Sequence, residues 1–477
     1  VMNVASSVVT GREFSAVLRS DGTVWAWGLN NKGQLGDGTT ITRTTPTQVQ
    51  IAPKDPNKIE YLTNIVSIAA GEEHLVMLRS DGKVFTTGDN TYGQLGYANT
   101  ADETDSTIPY KNNYATMVRF EDAEGEALEQ QPVITAVAAG AYHTLALSKG
   151  TEIVTTSGIS RSGGDVWAWG RNNNYQIGIG TSVGTGNVLK PVQVLKGQSA
   201  SDTDHLGSVA AITAGAYNSF AIRTDGYVLG WGLNNKGQLG DGSKENRGMP
   251  VFMLKGQSGV YGDYIQNDYN NDQLTYGSVY MENAYMVSAG MDHTLILLRV
   301  EGGEVARTEV YATGDNTYGQ LGTWTQNSVD GSNPGTTASS TTPVRVLKDP
   351  SLPAPHNWFG STAENDPLNI ELVGVMAGEY HSMAMDKDGK LYAWGWNGYG
   401  QLGVTRTDDT AKAASGLTLP TDVLSGLSVE PVDNSPISNI RALSARFNHT
   451  IALKVDGTVW GWGQNTSWKL GENATTR

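Results

Sequence analysis

An eleven-residue string, GLNNKGQLGDG, occurs twice in this chain of 477 residues, at 28–38 and again at 232–242. A second string, TGDNTYGQLG, also occurs twice, at 87–96 and 313–322. Identity over such lengths does not arise by chance, so the chain contains internal repeats. Because a repeat architecture changes the number of domains expected for a given length, the repeat constrains the fold before any other property does.

The two strings are parts of one longer pattern that occurs seven times. In each copy a strand-like run such as VWAWG ends in glycine and is followed by x-N-x-x-x-Q-[LI]-G, although the last copy, VWGWGQNTSWKLG, lacks the glutamine. The glycines that end the seven runs are Gly28, Gly88, Gly170, Gly232, Gly314, Gly395 and Gly463.

The residues around each run predict three further strands and a tight turn. A short apolar segment such as IVSIAAG ends in glycine, and an alternating segment such as HLVML follows it. Five copies then contain Asp-Gly, which favours a two-residue hairpin because both central residues of a type I′ turn have positive φ. A fourth strand is expected near 191–195 and 343–347, where proline suits an outer edge strand. Each unit is therefore predicted to be a four-stranded antiparallel sheet.

The combination of A-G-x-x-H-[ST], Asp-Gly and W-G-x-N-x-x-G-Q-L-G resembles the repeat of the regulator of chromosome condensation (RCC-type) family, whose fold is a seven-bladed β-propeller. The resemblance extends over all seven units. It implies an all-β chain in which 1–477 forms one propeller domain, because one four-stranded sheet cannot bury both faces and seven in a ring can. The units are expected at about 1–60, 61–131, 132–208, 209–284, 285–372, 373–438 and 439–477.

The glycine-rich corner is predicted to be scaffold and not a phosphate site. A phosphate-binding loop needs a helix after its glycines, and the sequence predicts none there. Asn30 and Gln34 are expected to hydrogen-bond loop backbone, and Leu35 is expected to fill the core between blades.

Five of the seven histidines occupy one repeat position, which in four of the units is the last of Gly-x-x-His. A shared metal ion is not expected, because adjacent sheets pack about 10 Å apart and zinc needs nitrogen ligands within about 2.1 Å. Phe14 and Asn218 replace the histidine in the first and fourth units. The prediction is that these histidines are buried and bonded to the backbone of a neighbouring loop. They are His74, His143, His293, His381 and His449.

Residues beyond the compact repeat form insertions that are expected to follow the Q-L-G corner and to gather on one face of the ring. The insertions are 97–131, 241–284, 323–342 and 404–438. Loops on a rigid scaffold bind partners, and tyrosine gives a large contact area at low entropy cost. The predicted partner-binding residues are therefore the tyrosines of the second insertion: Tyr261, Tyr264, Tyr269, Tyr276 and Tyr280.

The same insertion contains a weak calcium signal. Asp268, Asn270 and Asp272 have the D-x-N-x-D spacing that begins an EF-hand loop. However, Gln273 stands where that loop has glycine, and no glutamate occupies its twelfth position. No other metal, no cofactor and no catalytic residue is predicted.

Composition restricts the class of partner. The formal net charge is −15, which argues against nucleic acid and anionic membranes because both need clustered Lys and Arg. Cysteine is absent, so disulfides and cysteine-ligated zinc are excluded. No apolar run approaches the length of a membrane-spanning helix. The predicted partner is a protein, a glycan or another part of a surface assembly.

These properties and the resemblance favour a non-enzymatic bacterial propeller, extracellular or at the cell surface, with a binding or structural role. The family also includes nucleotide exchange factors for a small GTPase and secreted inhibitors of β-lactamases. An intracellular GTPase regulator and a secreted enzyme inhibitor are therefore the alternatives, and a hydrolase with a central-channel site is a third. The start at Val1 is expected to reflect trimming from a longer protein.

The two ends of the chain predict how the ring closes. The inner strand of the first unit is expected around residues 4–11, and the last unit stops before any outer strand. Because closure removes exposed sheet edges, residues 1–11 are expected to lie beside residues 440–470.

Overall fold

A computed structural model describes residues 4–53, 55, 57–97, 111–121, 128, 130–150, 152–155, 158–161, 163–181, 184–197, 204–256, 279–300, 307–323, 338–348, 359–361, 370–404, 416–425 and 435–471. These residues form an all-β fold of seven antiparallel blades in a propeller arrangement. The predicted fold class is confirmed.

The chain order of the strands is also their order from the inside to the outside of each blade. Blade 1 contains β1 (Ala5–Thr10), β2 (Phe14–Arg19), β3 (Val24–Gly28) and β4 (Arg43–Gln48), and two short strands follow it, β5 (Gln50–Ile51) and β6 (Glu60–Tyr61). Blade 2 contains β7 (Ile65–Ala70), β8 (His74–Arg79), β9 (Val84–Asp89) and β10 (Lys111–Met117). Blade 3 contains β11 (Ile134–Ala139), β12 (His143–Ser148), β15 (Val166–Gly170) and β16 (Val188–Gln193), with the added hairpin of β13 (Glu152–Thr155) and β14 (Gly158–Arg161).

Blade 4 contains β17 (Val209–Ala214), β18 (Asn218–Arg223), β19 (Val228–Gly232) and β20 (Arg247–Phe252). Blade 5 contains β21 (Ala284–Ala289), β22 (His293–Val300), β23 (Arg307–Gly314) and β24 (Ser340–Arg345), and β25 (Gly360–Ser361) pairs with β23. Blade 6 contains β26 (Leu372–Ala377), β27 (His381–Asp386), β28 (Leu391–Gly395) and β29 (Leu417–Asp422). Blade 7 contains β30 (Ile440–Arg446), β31 (His449–Lys454) and β32 (Val459–Gly463), followed by a 3₁₀ turn at Thr466–Trp468.

The outer strands lie close to where the proline-containing segments predicted them. β16 includes Pro191 and β24 includes Pro343, each at the edge of its blade. In the described part of blade 7 the sheet has three strands, in agreement with a repeat that ends early.

The hydrophobic core is divided into wedges between adjacent blades. One wedge contains Phe14 and Leu35 of blade 1 together with Leu75 and Met77 of blade 2, and all four side chains are buried. Each buried side chain of this size stabilises the fold by about 1.5–3 kcal/mol relative to exposure. The predicted role of Leu35 is confirmed, and the wedge explains why one repeat cannot be stable without its neighbours.

Each first strand contains a β-bulge at its second residue, which bends the strand and increases its twist. In blade 1, Ala5 pairs with Arg19 but Ser7 pairs with Leu18, so Ser6 is the extra residue. The same register shift recurs in the six other blades.

The ring closes where the first and last inner strands meet. β1 packs against β30 and β31, and the Thr10 hydroxyl lies 2.9 Å from the hydroxyl of Ser444. The predicted proximity of the two ends is confirmed for the described residues.

Strand order also defines the two faces of the ring. The loops between first and second strands, and between third and fourth strands, reach one face, which we call the Gly-x-x-His face. The second-to-third hairpins and the connections to the next blade reach the opposite face, which we call the Asp-Gly face.

Candidate functional site

The Gly-x-x-His face is built around a backbone ring at the propeller axis. The amide of Arg12 donates to the carbonyl of Glu72 at 3.0 Å, and the amide of Glu72 donates to the carbonyl of Ala141 at 3.0 Å. Ala141 and Ala216 continue the series into blades 4 and 5. Loops from different blades are therefore held in fixed register, and the side chains between Gly and His point from a rigid base.

The repeated histidines hold adjacent blades together. His74 Nε2 lies 3.1 Å from the Thr144 hydroxyl of the next blade, and that hydroxyl donates to the carbonyl of Gln94 at 2.8 Å. Since the hydroxyl proton is used for Gln94, the hydroxyl accepts from His74, which places the imidazole proton on Nε2. The Trp169 indole donates to the same carbonyl at 2.9 Å. The equivalent histidine–hydroxyl pairs are His143–Ser219, His293–Ser382 and His381–Thr450.

The histidine partner differs from the one predicted. All five repeated histidines are buried, but where a partner is found it is a side-chain hydroxyl and not loop backbone. His449 has no hydrogen-bond partner among the described residues. Burial lowers the pKa of His74 to about 3 and that of His293 to about 4, so the imidazoles are neutral at pH 7. Among the described residues, no group of three or more His, Asp or Glu side chains could hold a metal ion.

The exception at blade 1 follows the same rule. Phe14 replaces the histidine, and the residue that faces it across the wedge is Leu75, where the other blades have a hydroxyl. An apolar pair has thus replaced a polar pair. Gly11 permits the ring to lie on the backbone, since a Cβ there would be 2.0 Å from the Phe14 ring, as one at Gly71 would be from His74.

At the seam between blades 7 and 1, a hydroxyl and an indole again donate to the carbonyl of the corner residue. Lys469 occupies the position of the corner glutamine, and its carbonyl accepts from the Ser15 hydroxyl at 2.7 Å and the Trp27 indole at 3.0 Å. Its ammonium group is buried beside Glu13 at 3.0 Å. The corner motif is therefore scaffold, as predicted: in blade 1 the Asn30 side chain bonds the backbone of Leu35.

One arginine, Arg446, bridges three blades near the propeller axis. The Arg446 guanidinium donates to the carbonyl of Ala139 at 2.8 Å and to that of Ala70, so it joins blade 7 to blades 2 and 3. Desolvation by the surrounding protein lowers the pKa of the Arg446 guanidinium to about 10. Arg446 also lines a depression together with Glu72 and Glu379. Residues of several blades therefore meet at the centre of this face.

Acidic side chains surround this centre. Burial and the neighbouring Asp89 raise the pKa of Glu73, and burial and the neighbouring Asp315 raise the pKa of Asp292. Burial, with Glu72 nearby, likewise raises the pKa of Glu379. Carboxylates that are partly desolvated and close to one another favour a cationic partner.

An aromatic cluster on one side of the axis already contains a cation. The guanidinium carbon of Arg171 lies 4.8 Å from the ring centre of Tyr92 and 5.5 Å from those of Tyr142 and Tyr217. The Tyr142 hydroxyl donates to Glu72 at 2.5 Å, and burial with this bond raises the pKa of Tyr142. We call these four residues the arginine cluster.

A second aromatic cluster lies on the other side of the axis. Tyr318 and Tyr380 are 5.4 Å apart between ring centres, and Trp396 lies 5.7 Å from Tyr318 and 5.3 Å from Tyr399. We call these four residues the tryptophan cluster. The repeat pattern did not predict either cluster, although tyrosine recurs directly before histidine in the GAYH and GEYH copies.

Only one of the five predicted partner-binding tyrosines, Tyr280, is among the described residues. Residues 257–278, which include Tyr261, Tyr264, Tyr269 and Tyr276 and the calcium candidates Asp268, Asn270 and Asp272, are outside the described residues. Tyr280 is half-buried and packs on Phe252 at 4.9 Å.

The expectation that all insertions share one face is wrong. The segment 257–278 connects a fourth strand, β20, to the next first strand, β21, and its flanking residues lie on the Asp-Gly face. By contrast, 98–110, 324–337 and 405–415 connect third to fourth strands, so the strands that flank them end on the Gly-x-x-His face. Sequence spacing placed the insertions after the corner but did not show which of them follow the fourth strand.

The closed arrangement of seven blades, with an equivalent pair of side chains packed at each seam, defines a repeat β-propeller. Its sequence matches the Regulator of chromosome condensation (RCC1) repeat at 21–78, 81–147, 163–222, 225–260 and 388–442, which is more than half of the chain. A second profile of the same repeat matches 5–34, 65–94, 209–238, 373–401 and 440–467. The chain belongs to the RCC1 repeat family.

Relatives and solved structures agree with this assignment. The chain is similar to the Ultraviolet-B receptor UVR8 of Arabidopsis thaliana, with 26% identity over 97% of this chain and 78% of the receptor. It is 26% identical to the human Probable E3 ubiquitin-protein ligase HERC3 over 80% of this chain, which spans 31% of the ligase. Human WBSCR16 superposes with a TM-score of 0.61 at 19% identity, covering 95% of this chain and 87% of that one. Yeast Prp20p superposes with a TM-score of 0.58 at 20% identity over 94% and 83%. These structural likenesses establish the fold.

No helix in the described part of the chain has the length and hydropathy needed to cross a membrane.

Proposed function

We propose that this chain is a non-catalytic binding module that docks a protein partner on its Gly-x-x-His face. The observation that carries the proposal is the presence of two aromatic clusters and a group of partly desolvated carboxylates on one rigid face. Protein interfaces are enriched in Tyr, Trp and Arg at their centres. The depression beside Arg446 is partly open to solvent, and an open surface suits a macromolecular partner better than a small molecule, which binding sites enclose deeply.

The charges around the clusters support a protein partner. Lys32 lies 3.2 Å from Asp89, and Lys236 lies 3.5 Å from Asp315, in equivalent positions of blades 1 and 4. The aspartate of each pair is buried and the lysine is partly exposed. Charges placed on an interface select and orient a partner.

The relatives support a binding role without naming the partner. UVR8 is a receptor, and Prp20p has been studied for its binding to Gsp1p and histones. Those partners are properties of those proteins. HERC3 is a ligase of which this chain spans 31%, so ligase activity is not proposed here.

We further propose that the chain acts outside the cell or at its surface, with a glycan as the second class of ligand. The absence of cysteine and the net charge of −15 support this location. Protease treatment of intact source cells tests it: digestion of the chain without lysis is expected, and complete protection until lysis would contradict the location.

The binding proposal is tested with two charge-matched variants. Immobilised full chain is incubated with native extract, and the bound protein is identified and purified. The variant Lys32→Glu/Lys236→Glu alters the Gly-x-x-His face, whereas Lys83→Glu/Lys454→Glu makes the same charge change beside the Asp-Gly turns. The purified partner is expected to bind the first variant at least tenfold more weakly and the second variant as it binds the native chain.

A third variant tests the insertion predicted from sequence. Replacing 257–278 with a short Gly-Ser linker is feasible because the Lys255 amide already bonds the Val279 carbonyl at 2.8 Å. Retained binding is expected. If this deletion removes binding and Lys32→Glu/Lys236→Glu does not, the partner docks on the Asp-Gly face and the proposal is wrong.

A further inference from the structure

The two aromatic clusters are built on equivalent repeat positions. Tyr92 and Tyr318 occupy the same place in the two copies of TGDNTYGQLG, and Tyr142 and Tyr380 both precede the repeated histidine. The ring centres of Tyr92 and Tyr142 are 5.1 Å apart with a 61° angle between planes, and those of Tyr318 and Tyr380 are 5.4 Å apart at 60°. The same tyrosine pair is therefore presented twice on one face.

The clusters differ in the residue that fills them. The position after the strand-ending glycine is Arg171 in blade 3 and Trp396 in blade 6. Arg171 shows that this tyrosine pair stably accepts a guanidinium at 4.8–5.5 Å from the rings. Trp396 supplies a third ring instead of a cation, and Tyr399 adds a fourth, 45% exposed.

Two carboxylates lie beside the tryptophan cluster. The Tyr380 hydroxyl lies 3.4 Å from the sulfur of Met291, the residue before Asp292, and Glu379 directly precedes Tyr380. Burial and these two carboxylates raise the pKa of Tyr380 to about 12, while Arg12 and Lys469 partly offset the charge of Glu379. Asp292 is additionally close to Asp315. Lys236 bonds Asp315 at 3.5 Å, and no arginine or lysine among the described residues lies over the four rings.

We propose that the tryptophan cluster, with Asp292 and Glu379, binds an arginine side chain of the protein partner. The proposal rests on the proposed function and assigns it a specific contact. Aromatic faces attract cations, and tryptophan does so most strongly. A guanidinium fits better than an ammonium because it is planar, stacks on rings and is more weakly hydrated. Its forked donors can reach a carboxylate while the plane rests on an indole.

The first experiment measures binding of a fluorescein-labelled peptide, GSRGSRGSRGS, by anisotropy at low salt. The matched peptide has citrulline, the uncharged isostere, at each arginine. The arginine peptide is expected to bind at least tenfold more tightly than the citrulline peptide. Equal binding of the two peptides would overturn the proposal.

Variants locate the site. Trp396→Arg gives the cluster its own guanidinium, as in the arginine cluster, and is expected to weaken peptide binding at least tenfold with an unchanged fold by circular dichroism. Asp292→Asn/Glu379→Gln should weaken it similarly and serves as the second test if Trp396→Arg does not fold. Trp460→Phe, on an exposed indole of blade 7 that is 39% accessible, is the control and should change nothing.

The reverse exchange gives a gain of function. Arg171→Trp converts the arginine cluster into a second ring cluster beside Glu72 and Glu73, so the peptide-to-chain stoichiometry is expected to rise from one to two. A stoichiometry that stays at one overturns the assignment. Native peptide affinity in both Trp396→Arg and Asp292→Asn/Glu379→Gln also overturns it. The peptide experiments test the arginine site, whereas Lys32→Glu/Lys236→Glu and the purified partner test docking on the Gly-x-x-His face, so failure of one proposal can be told from failure of the other.

Discussion

Removing the Thr144 hydroxyl between blades 2 and 3 should lower the free energy of unfolding by more than the loss of one small group suggests. In Thr144→Val the shape of the side chain is kept, but the Nε2 proton of His74 loses its acceptor in a site with no solvent access. A buried donor left without a partner costs about 1–3 kcal/mol. The Gln94 carbonyl keeps the Trp169 indole at 2.9 Å, so the cost should come from His74 alone.

The first blade shows how the loss can be reversed. Phe14 and Leu75 occupy the same two positions at the preceding seam and pack in one cluster. The double variant His74→Phe/Thr144→Leu should therefore be more stable than the sum of its single-variant losses predicts, by at least about 1 kcal/mol, because it removes both polar groups together.

The assay is urea unfolding at pH 7, with the free energies of the native chain, both single variants and the double variant combined in a cycle. The same cycle on His74 and Ser219, which belong to different pairs, is the control and should be additive. A coupling energy below about 0.3 kcal/mol for His74 and Thr144 would refute the stabilising role of their hydrogen bond, because distant independent sites add within that margin.

Three further predictions concern the buried charges and imidazoles. Because burial lowers the pKa of His74, His143 and His381 to about 3 and that of His293 to about 4 in the folded chain, against 6.5 when unfolded, stability present above pH 6.5 should be lost as the pH falls towards 4. The expected slope is about 1.4 kcal/mol per pH unit for each histidine, and urea midpoints that stay constant from pH 7 to pH 5 would contradict it. Lys469→Met should destabilise the seam by roughly 1–3 kcal/mol by leaving Glu13 without its buried cation, whereas Lys469→Gln, which restores the repeat residue, should cost less in the same unfolding assay. Arg446→Met should lower the free energy of unfolding by roughly 2–5 kcal/mol because the carbonyls of Ala70 and Ala139 lose a charged donor; a neutral effect would mean that water replaces the guanidinium there.

Some expectations failed for identifiable reasons. The histidines were expected to bond backbone, but their partners are hydroxyls such as Thr144, one residue beyond the next blade's own histidine. The signal was present in the last position of the A-G-x-x-H-[ST] pattern. This position holds Ser or Thr wherever the preceding blade has His or Asn at the histidine position, and it holds Leu75 in blade 2, where the preceding blade has Phe14. Recognising it requires knowing that consecutive units are neighbours in a ring.

The sequence by itself determined the number of blades, the order of strands within each blade and the scaffold role of the corner, because hydrophobic alternation, Asp-Gly turns and repeated glycines are local properties of each unit. It also placed the two ends together. Only the tertiary structure decided what each face presents. Arg446, Glu72 and Ala139 belong to three different blades and meet at the axis, and Tyr318 meets Tyr380 and Trp396 only because blade 5 adjoins blade 6. Such clusters depend on distances between units, which closure of the ring sets and which no single repeat encodes.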